Sequence, residues 1–486
     1  MSASKSFLHH AFVYWIGRMA ARSLTILLLP IYTACLSPGD YGELSILAIV
    51  MDVAALVLSF QLPVAIYRFW AAEETTEGQH RVLGSVMLIT LVVPTLLLLP
   101  VYLNASFFSS LLGMQSDTNL LRLVLAECQL ALIVAVAMTE MRVRDQSRQF
   151  SLWEIGQVTG IGVVSVILVA KLGWGIWGMF IGQGFIFLLM ALYLLPQFLR
   201  RVGLCFDRGL AVKMFRFALP LVPSAVAMSA VHSADRFFVQ HLVGLEATGL
   251  YAIAYKFGTL VSILVTGPFF LIWEPKRFTI AHEKNASTQY GRIFTYLLVL
   301  TSFVALALSG LSKEIVQLLT AKEYWSAHSL VPMVAWSYVF FGLSSVVSVG
   351  LFVHQKTMTQ AWLIFICFAA NMLGNWWLIP LYGTYGAALA TLISFVLLFG
   401  LNLLFSHRYI AIAFEWRRIC LLILLTVFAW GCMIFTVTDS LYLGIVLKSF
   451  VLFCFLMVLL KLGFFAELRL SLRIMALVGR LTGKKY

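Results

Sequence analysis

The sequence predicts an all-α integral membrane protein of about fourteen transmembrane helices. Three observations carry this. The 486 residues are 61% hydrophobic and only 11% charged, against about 45–50% apolar and about 25% charged in ordinary soluble proteins. A water-soluble fold of this length could not bury so much apolar surface, whereas lipid can solvate it. Second, apolar runs of about 20 residues, the length that crosses a bilayer, recur along the whole chain. Third, the connections between those runs are alternately rich and poor in Lys and Arg.

The runs place spans at 10–35, 43–67, 82–104, 120–141, 151–171, 174–199, 216–241, 248–273, 290–311, 328–352, 359–381, 385–406, 417–437 and 440–462, numbered span 1 to span 14 below. No cleavable signal peptide is read at the start, because MSASKSFLHH runs straight into an apolar segment too long for a signal. The seven cysteines are scattered from Cys35 to Cys454 without a CxxC pair or a Cys/His cluster. A disulfide framework and a zinc site are therefore not expected, and no metal or cofactor is.

One set of connections holds Arg68, Arg81, Arg142, Arg144, Arg148, Arg200, Arg201 and their successors. With Lys5 and the C-terminal basic residues it carries twenty-five Lys and Arg; the opposite set has Arg122, Lys171, Lys313 and Lys322. The positive-inside rule then places both termini in the cytoplasm and requires an even number of spans. The net charge of +13 is mostly a topology signal, and no nucleic-acid partner is expected. In the tail 464–486, Phe465, Leu468, Leu472 and Met475 share a helix face away from Arg469, Arg473 and Arg480. That pattern fits an amphipathic helix on anionic lipid or an unordered basic tail.

An internal repeat organises the spans. LSPGDYGELSILA (Leu36–Ala48) corresponds to LVGLEATGLYAIA (Leu242–Ala254), with Gly42 opposite Gly249. GWGIWGMFIGQ (Gly173–Gln183) corresponds to LYGTYGAALAT (Leu381–Thr391), with Gly175 and Gly178 opposite Gly383 and Gly386. The offsets, 207 and 208 residues, agree. They predict a first half over 1–204 (spans 1–6), a second over 205–409 (spans 7–12), spans 13 and 14 appended over 410–463, and the tail. Parallel repeats of this kind commonly enclose a solute site.

The stretches DYGELSILAIVMDVAALVLSFQLPVAIYRFW (Asp40–Trp70), RFALPLVPSAVAMSAVHSADRFFVQHLVGLEATGLYAIAYKFG (Arg216–Gly258) and LIPLYGTYGAALATLIS (Leu378–Ser394) resemble the Wzx-like polysaccharide flippases of the MOP exporter superfamily. The resemblance covers most of the chain. It implies a MATE-like bundle of two lobes around a central cavity. It also implies transport of an undecaprenyl-diphosphate-linked oligosaccharide from the cytoplasmic to the periplasmic leaflet of the bacterial inner membrane, for O-antigen, capsule or exopolysaccharide. Membrane lipid and a polysaccharide polymerase or chain-length apparatus are the partners it implies.

Ionisable side chains inside spans are costly and mark candidate sites. Arg18 and Arg22 are one turn apart on span 1, where two guanidiniums could grip a diphosphate or instead pair with neighbouring spans. MurJ-like lipid II flippases of the same superfamily also carry arginines on their first helix. Asp235 and Arg236 near the end of span 7, and Lys256 in span 8, fall at similar depth. Asp235 could pair with Lys256 or line the cavity, and Arg236 points elsewhere as a solute-binding candidate. Asp52 is a carboxylate in an apolar span, a candidate coupling group or a hydrogen-bonded structural one; Glu274 ends span 8, and Lys448 sits in an appended span. Tyr14, Trp15, Tyr67, Tyr251, Tyr255 and Trp336 are candidates for stacking on sugars. No Walker motif, HExxH or DxD cluster and no long outside loop supports an enzyme, and no catalytic residue is assigned. A MATE-type antiporter of cationic small molecules, expected to be lined by acids, is the alternative transporter.

Overall fold

The computed structural model describes residues 24–113, 118–436, 438 and 440–464. Helices and short turns make up this part of the chain, and no strand occurs among the described residues. Twelve helices are long and apolar enough to cross a membrane, and the bent pair Arg208–Ala218 and Leu221–Ser233, at 43°, makes a thirteenth. Leu24–Cys35 is the described end of span 1. Thirteen of the fourteen predicted spans, counting the bent pair, therefore coincide with helices of membrane-crossing length among the described residues, and the all-α membrane fold holds. The C-terminal amphipathic stretch lies outside the described residues.

Helices outrun the apolar segments because polar caps continue them beyond the hydrocarbon. Span 2 begins at Pro38 rather than near residue 43. Ser37 accepts from the Asp40 N–H, and Asp40 accepts in return from the Ser37 N–H at 3.0 Å. This reciprocal box, with proline at the first helical position, nucleates the helix end. Span 3 starts at Thr76 behind the Thr75 cap, and span 7 at Arg208 behind the Asp207 cap.

Two spans are interrupted at equivalent points of the repeat. Span 2, Pro38–Ala72, breaks after Leu58, where Phe60 and Gln61 take φ of 48° and 55°. Left-handed backbone is uncommon outside glycine. The freed groups are recovered locally, the Phe60 N–H donating to Val57 O and the Leu62 N–H to Ser59 O. Span 8, Leu245–Ile280, carries a widened π turn at Ser262–Thr266, just ahead of Gly267 and Pro268. Phe60 and Gly267 are again 207 residues apart.

The repeat glycines show why they are glycine. Gly175 and Gly383 both take positive φ, 52° and 57°, at the tight turns before spans 6 and 12. Gly42 and Gly249 face each other. A Cβ on Gly42 would strike the Leu245 carbonyl, and one on Gly249 would strike that of Pro38. Pro38 and Leu245 are themselves repeat partners, so the contact is reciprocal, as expected on an approximate two-fold axis.

By contacts the chain forms two compact units that do not follow the chain halves. The first holds Met1–Lys256, Val316–Leu330 and Thr357–Leu398; within it span 4 packs on spans 2, 3 and 6, and span 7 on spans 2 and 11. The second holds Phe257–Ile315, Val331–Lys356 and Phe399–Tyr486, with span 9 packed on spans 10, 13 and 14.

Lys448 is explained inside the second unit. Its Nζ donates to Glu314 Oε1, and the two side chains are only 11% and 8% exposed. Removing one partner of a buried ion pair costs about 3–5 kcal/mol. Lys448→Met is therefore expected to lower the melting temperature of the purified chain, and adding Glu314→Gln should recover most of the loss.

Candidate functional site

The charged side chains of the first unit gather around span 7. Its helix stops at Ser233 and restarts at Asp235. Asp235 is fully buried. It accepts from Tyr251 Oη at 2.6 Å, from the Arg236 N–H at 2.9 Å and from Thr391 Oγ1 at 3.4 Å. One carboxylate thus ties spans 7, 8 and 12 together.

Of the two alternatives for Asp235, the pair with Lys256 is not seen. Lys256 Nζ donates instead to Tyr41 Oη of span 2, at 2.8 Å. The helix turn between Tyr251 and Lys256 explains the difference, because Tyr251 takes the face toward Asp235 and Lys256 the face toward span 2. Tyr41 also meets the Tyr324 ring edge-on at 5.9 Å. Tyr324, wholly buried, donates to Leu36 O at 2.8 Å, and the Ala321 N–H donates to Thr33 Oγ1 at 3.1 Å. The ends of spans 1 and 2 that meet at Leu36–Pro38, the start of span 8 and the segment around Tyr324 are therefore fastened by side chains as well as by the glycine seam.

Arg236 differs from its neighbour. It is half-buried, its guanidinium lies over the Tyr255 ring at 4.5 Å, and its Nε is buried with no acceptor among the described residues. Asp52 of span 2 is exposed and lies within electrostatic reach of Arg236. No hydrogen bond or close ion pair engages Asp52 among the described residues, so the bonded alternative for it is not seen. A guanidinium with an N–H that has no acceptor among the described residues can donate to an anionic group without first breaking a tight pair.

Arg18 and Arg22, with Tyr14 and Trp15, lie outside the described residues. Tyr251 and Tyr255 are buried and engaged with Asp235 and Arg236, which leaves no open ring face for a sugar. Tyr67 is exposed, and Arg142 Nη1 donates to its hydroxyl at 3.5 Å. Glu274 is exposed rather than buried.

Two buried acids of predicted span 4 fall outside the sequence-derived set. Glu140, near the C-terminal end of that helix, meets Arg144 at 3.0 Å and Arg201 at 3.4 Å, and Arg144 Nη2 lies 3.3 Å from His80 Nε2. These connection arginines are thus packing groups as well. Arg68 and Arg142 reinforce this by lying over Phe217 and Phe150 at 4.3 and 4.1 Å. Glu127 is 1% exposed, and neither carboxyl oxygen has a hydrogen-bond partner among the described residues. Its place in an apolar run was the available signal; its isolation was not visible there. No cluster of three or more metal-ligating side chains occurs among the described residues.

Comparison with known proteins agrees with this architecture. The polysaccharide biosynthesis protein family matches residues 7–276, more than half of the chain. The succinoglycan biosynthesis transport protein ExoT of Rhizobium meliloti (strain 1021) is 23% identical over 277 residues, 56% of this chain and 54% of that one. The match therefore spans about half the length of that relative. Among solved structures, the lipid II flippase MurJ in an inward closed conformation has a TM-score of 0.73 at 16% identity, covering 95% of this chain and 99% of that one. An inward-facing multidrug resistance MATE transporter of the MOP superfamily has a TM-score of 0.65 at 15% identity, covering 82% and 97%. At these identities the likeness establishes the fold. The chain thus belongs to the polysaccharide biosynthesis protein family, and its fold is the one that MurJ and the MATE transporters of the MOP superfamily share.

Proposed function

We propose that the chain is a flippase that carries an undecaprenyl-diphosphate-linked oligosaccharide from the cytoplasmic to the periplasmic leaflet of the bacterial inner membrane. Membership of the polysaccharide biosynthesis protein family supports the solute class. Arg236 is the observation that carries the site, because a half-buried guanidinium with an unsatisfied Nε suits a diphosphate, which accepts forked hydrogen bonds. Lys448 and Asp235 are occupied by internal partners, and Lys256 donates to Tyr41. The headgroup then falls to Arg236, with Arg18 and Arg22 of span 1 as further contacts.

In this reading both termini are cytoplasmic, the repeat halves 1–204 and 205–409 act as the two lobes, and a polymerase or chain-length apparatus receives the product. The lipid tail stays in the bilayer while the glycan and diphosphate cross by alternating access. The embedded acids, Asp52 with Glu127, are what favour the second reading, a cation-coupled small-molecule antiporter.

Arg236→Ala is expected to abolish surface polysaccharide in the producing cell and to accumulate carrier-linked oligosaccharide on the cytoplasmic side. The Arg18→Ala, Arg22→Ala double variant should act in the same direction. Normal surface polysaccharide from stably inserted Arg236→Ala protein would sink the assignment of that residue. Drug sensitivity of the deletion strain with unchanged polysaccharide would favour the antiporter.

A further inference from the structure

We propose that a polar cavity at the membrane boundary of the first unit binds the phosphoethanolamine headgroup of an aminophospholipid. The cavity measures about 280 Å³, and its charged and polar lining is Glu73, Thr75, Glu77, Arg81, Asp207 and Lys213. Span 2 ends at Ala72, span 3 begins at Thr76 and span 7 begins at Arg208. The cavity therefore lies where three spans meet the edge of the apolar layer. Its volume is just below the range of small-molecule pockets, about 300–1,000 Å³, so it suits a headgroup rather than a glycan.

The walls are held in place by bonds of their own. The connection from span 6 to span 7 lies directly on span 3, where a Cβ on Gly84 would lie 2.8 Å from Cys205 N. Ser85 Oγ donates to Cys205 O at 3.3 Å, and the Asp207 N–H donates to Ser85 Oγ at 3.0 Å. Asp207 Oδ1 then caps span 7 by accepting from the Leu210 N–H at 3.0 Å. On the other wall Thr75 Oγ1 accepts from the Gly78 N–H at 3.1 Å, and Gln79 Nε2 donates to Glu73 O at 3.2 Å. A Cβ on Gly78 would strike the Glu73 carboxyl, so glycine leaves the room that this carboxyl occupies.

Three carboxylates and two cations line this space, and among the described residues no ion pair engages any of the five. Opposite charges kept apart in one cavity fit a ligand that carries both. A metal ion alone would meet Arg81 and Lys213, and an anion alone would meet three carboxylates. The ethanolamine ammonium donates to Glu73, Glu77 and Asp207, and the phosphate accepts from Arg81 and Lys213. The positive ends of the helices that begin at Thr76 and Arg208 add to the attraction for the phosphate. Leu204, Phe206 and Val212, on either side of Asp207 in the chain, are exposed. Apolar side chains exposed beside a charged cavity give acyl chains a surface to lie on, which favours a lipid over a free headgroup. The bound headgroup joins the end of span 2 to the starts of spans 3 and 7.

None of these side chains is assigned to the transported solute, so the outcome is separable from that of the proposed flippase activity. Native mass spectra are recorded on the full chain in detergent micelles doped with equal amounts of phosphatidylethanolamine, phosphatidylcholine and phosphatidylglycerol of the same acyl chains. The expected result is one phosphatidylethanolamine retained in several-fold excess over either competitor, because choline has no N–H to donate and phosphatidylglycerol has no cation. The Glu73→Gln, Glu77→Gln double variant should bring phosphatidylethanolamine down to the level of phosphatidylcholine. Lys213→Gln should lower retention of phosphatidylethanolamine and phosphatidylglycerol together, and Lys213 is exposed, so this variant keeps the fold. Equal retention of the three lipids by the wild type would overturn the proposal. So would a full phosphatidylethanolamine excess in either variant. Displacement of the lipid by an equal concentration of water-soluble glycerophosphoethanolamine would overturn the lipid assignment in favour of a soluble ligand.

Discussion

A Gly249→Ala variant is expected to lose most polysaccharide export and to melt at a lower temperature than the parent. The added methyl would strike the Pro38 carbonyl of span 2, and a backbone oxygen cannot rotate away as a flexible side chain can. Spans 2 and 8 must separate, at a cost of about 1–3 kcal/mol for an overpacked site. Gly42→Ala should behave alike, because its methyl would strike the Leu245 carbonyl from the other side of the same contact. The double variant should cost much less than twice either single one, since both changes open one seam. Gly156→Ala is the control, because nothing lies within 4 Å of a Cβ there. Melting curves of purified protein and surface polysaccharide in complemented cells measure the two effects. Wild-type behaviour of Gly249→Ala would remove the seam from the mechanism.

Asp235→Ala should destabilise the chain strongly, while Arg236→Ala, one residue on, should leave its stability near the parent's. Deleting the carboxylate leaves the buried Tyr251 hydroxyl, Thr391 Oγ1 and the Arg236 N–H without their acceptor. Hydrogen bonds to a charged group contribute about 1.5–3 kcal/mol each, and a stranded buried donor adds about 1–3 kcal/mol. A total loss of about 3–5 kcal/mol is expected, the range for broken buried polar networks. Tyr251→Phe should cost less, because Thr391 and the backbone still reach the carboxylate. Arg236 gives up a ring contact and no hydrogen bond at Nε, so its loss should be read in transport. Equal melting temperatures for the two variants would contradict the division of roles.

The spans were legible in the sequence because membrane insertion is decided locally, by about twenty apolar residues in a row. Predicted spans 2 to 14 meet helices of membrane-crossing length, span 7 as a bent pair. Their ends were less legible, since Ser37, Thr75 and Asp207 caps extend helices past the apolar run. The glycine positions of the repeat were legible too. A left-handed turn at Gly175 or Gly383, or the bare backbone approach at Gly42 and Gly249, leaves its mark on one residue at a time.

Charge pairing was not legible, for the opposite reason. Asp235 and Lys256 share a depth, but depth does not give azimuth, and azimuth sends Asp235 to Tyr251 and Thr391 and Lys256 to Tyr41, 215 residues away. Lys448 finds Glu314 across 134 residues. Glu127 could be placed inside a span by counting, yet its lack of a hydrogen-bond partner among the described residues depends on what the neighbouring spans present to it. Hydropathy and glycine marked the spans and the repeat positions, because both act within a turn or a span. Only the packing of distant helices decided which charges are bound to one another and which, like Arg236, keep an unfilled hydrogen-bonding position.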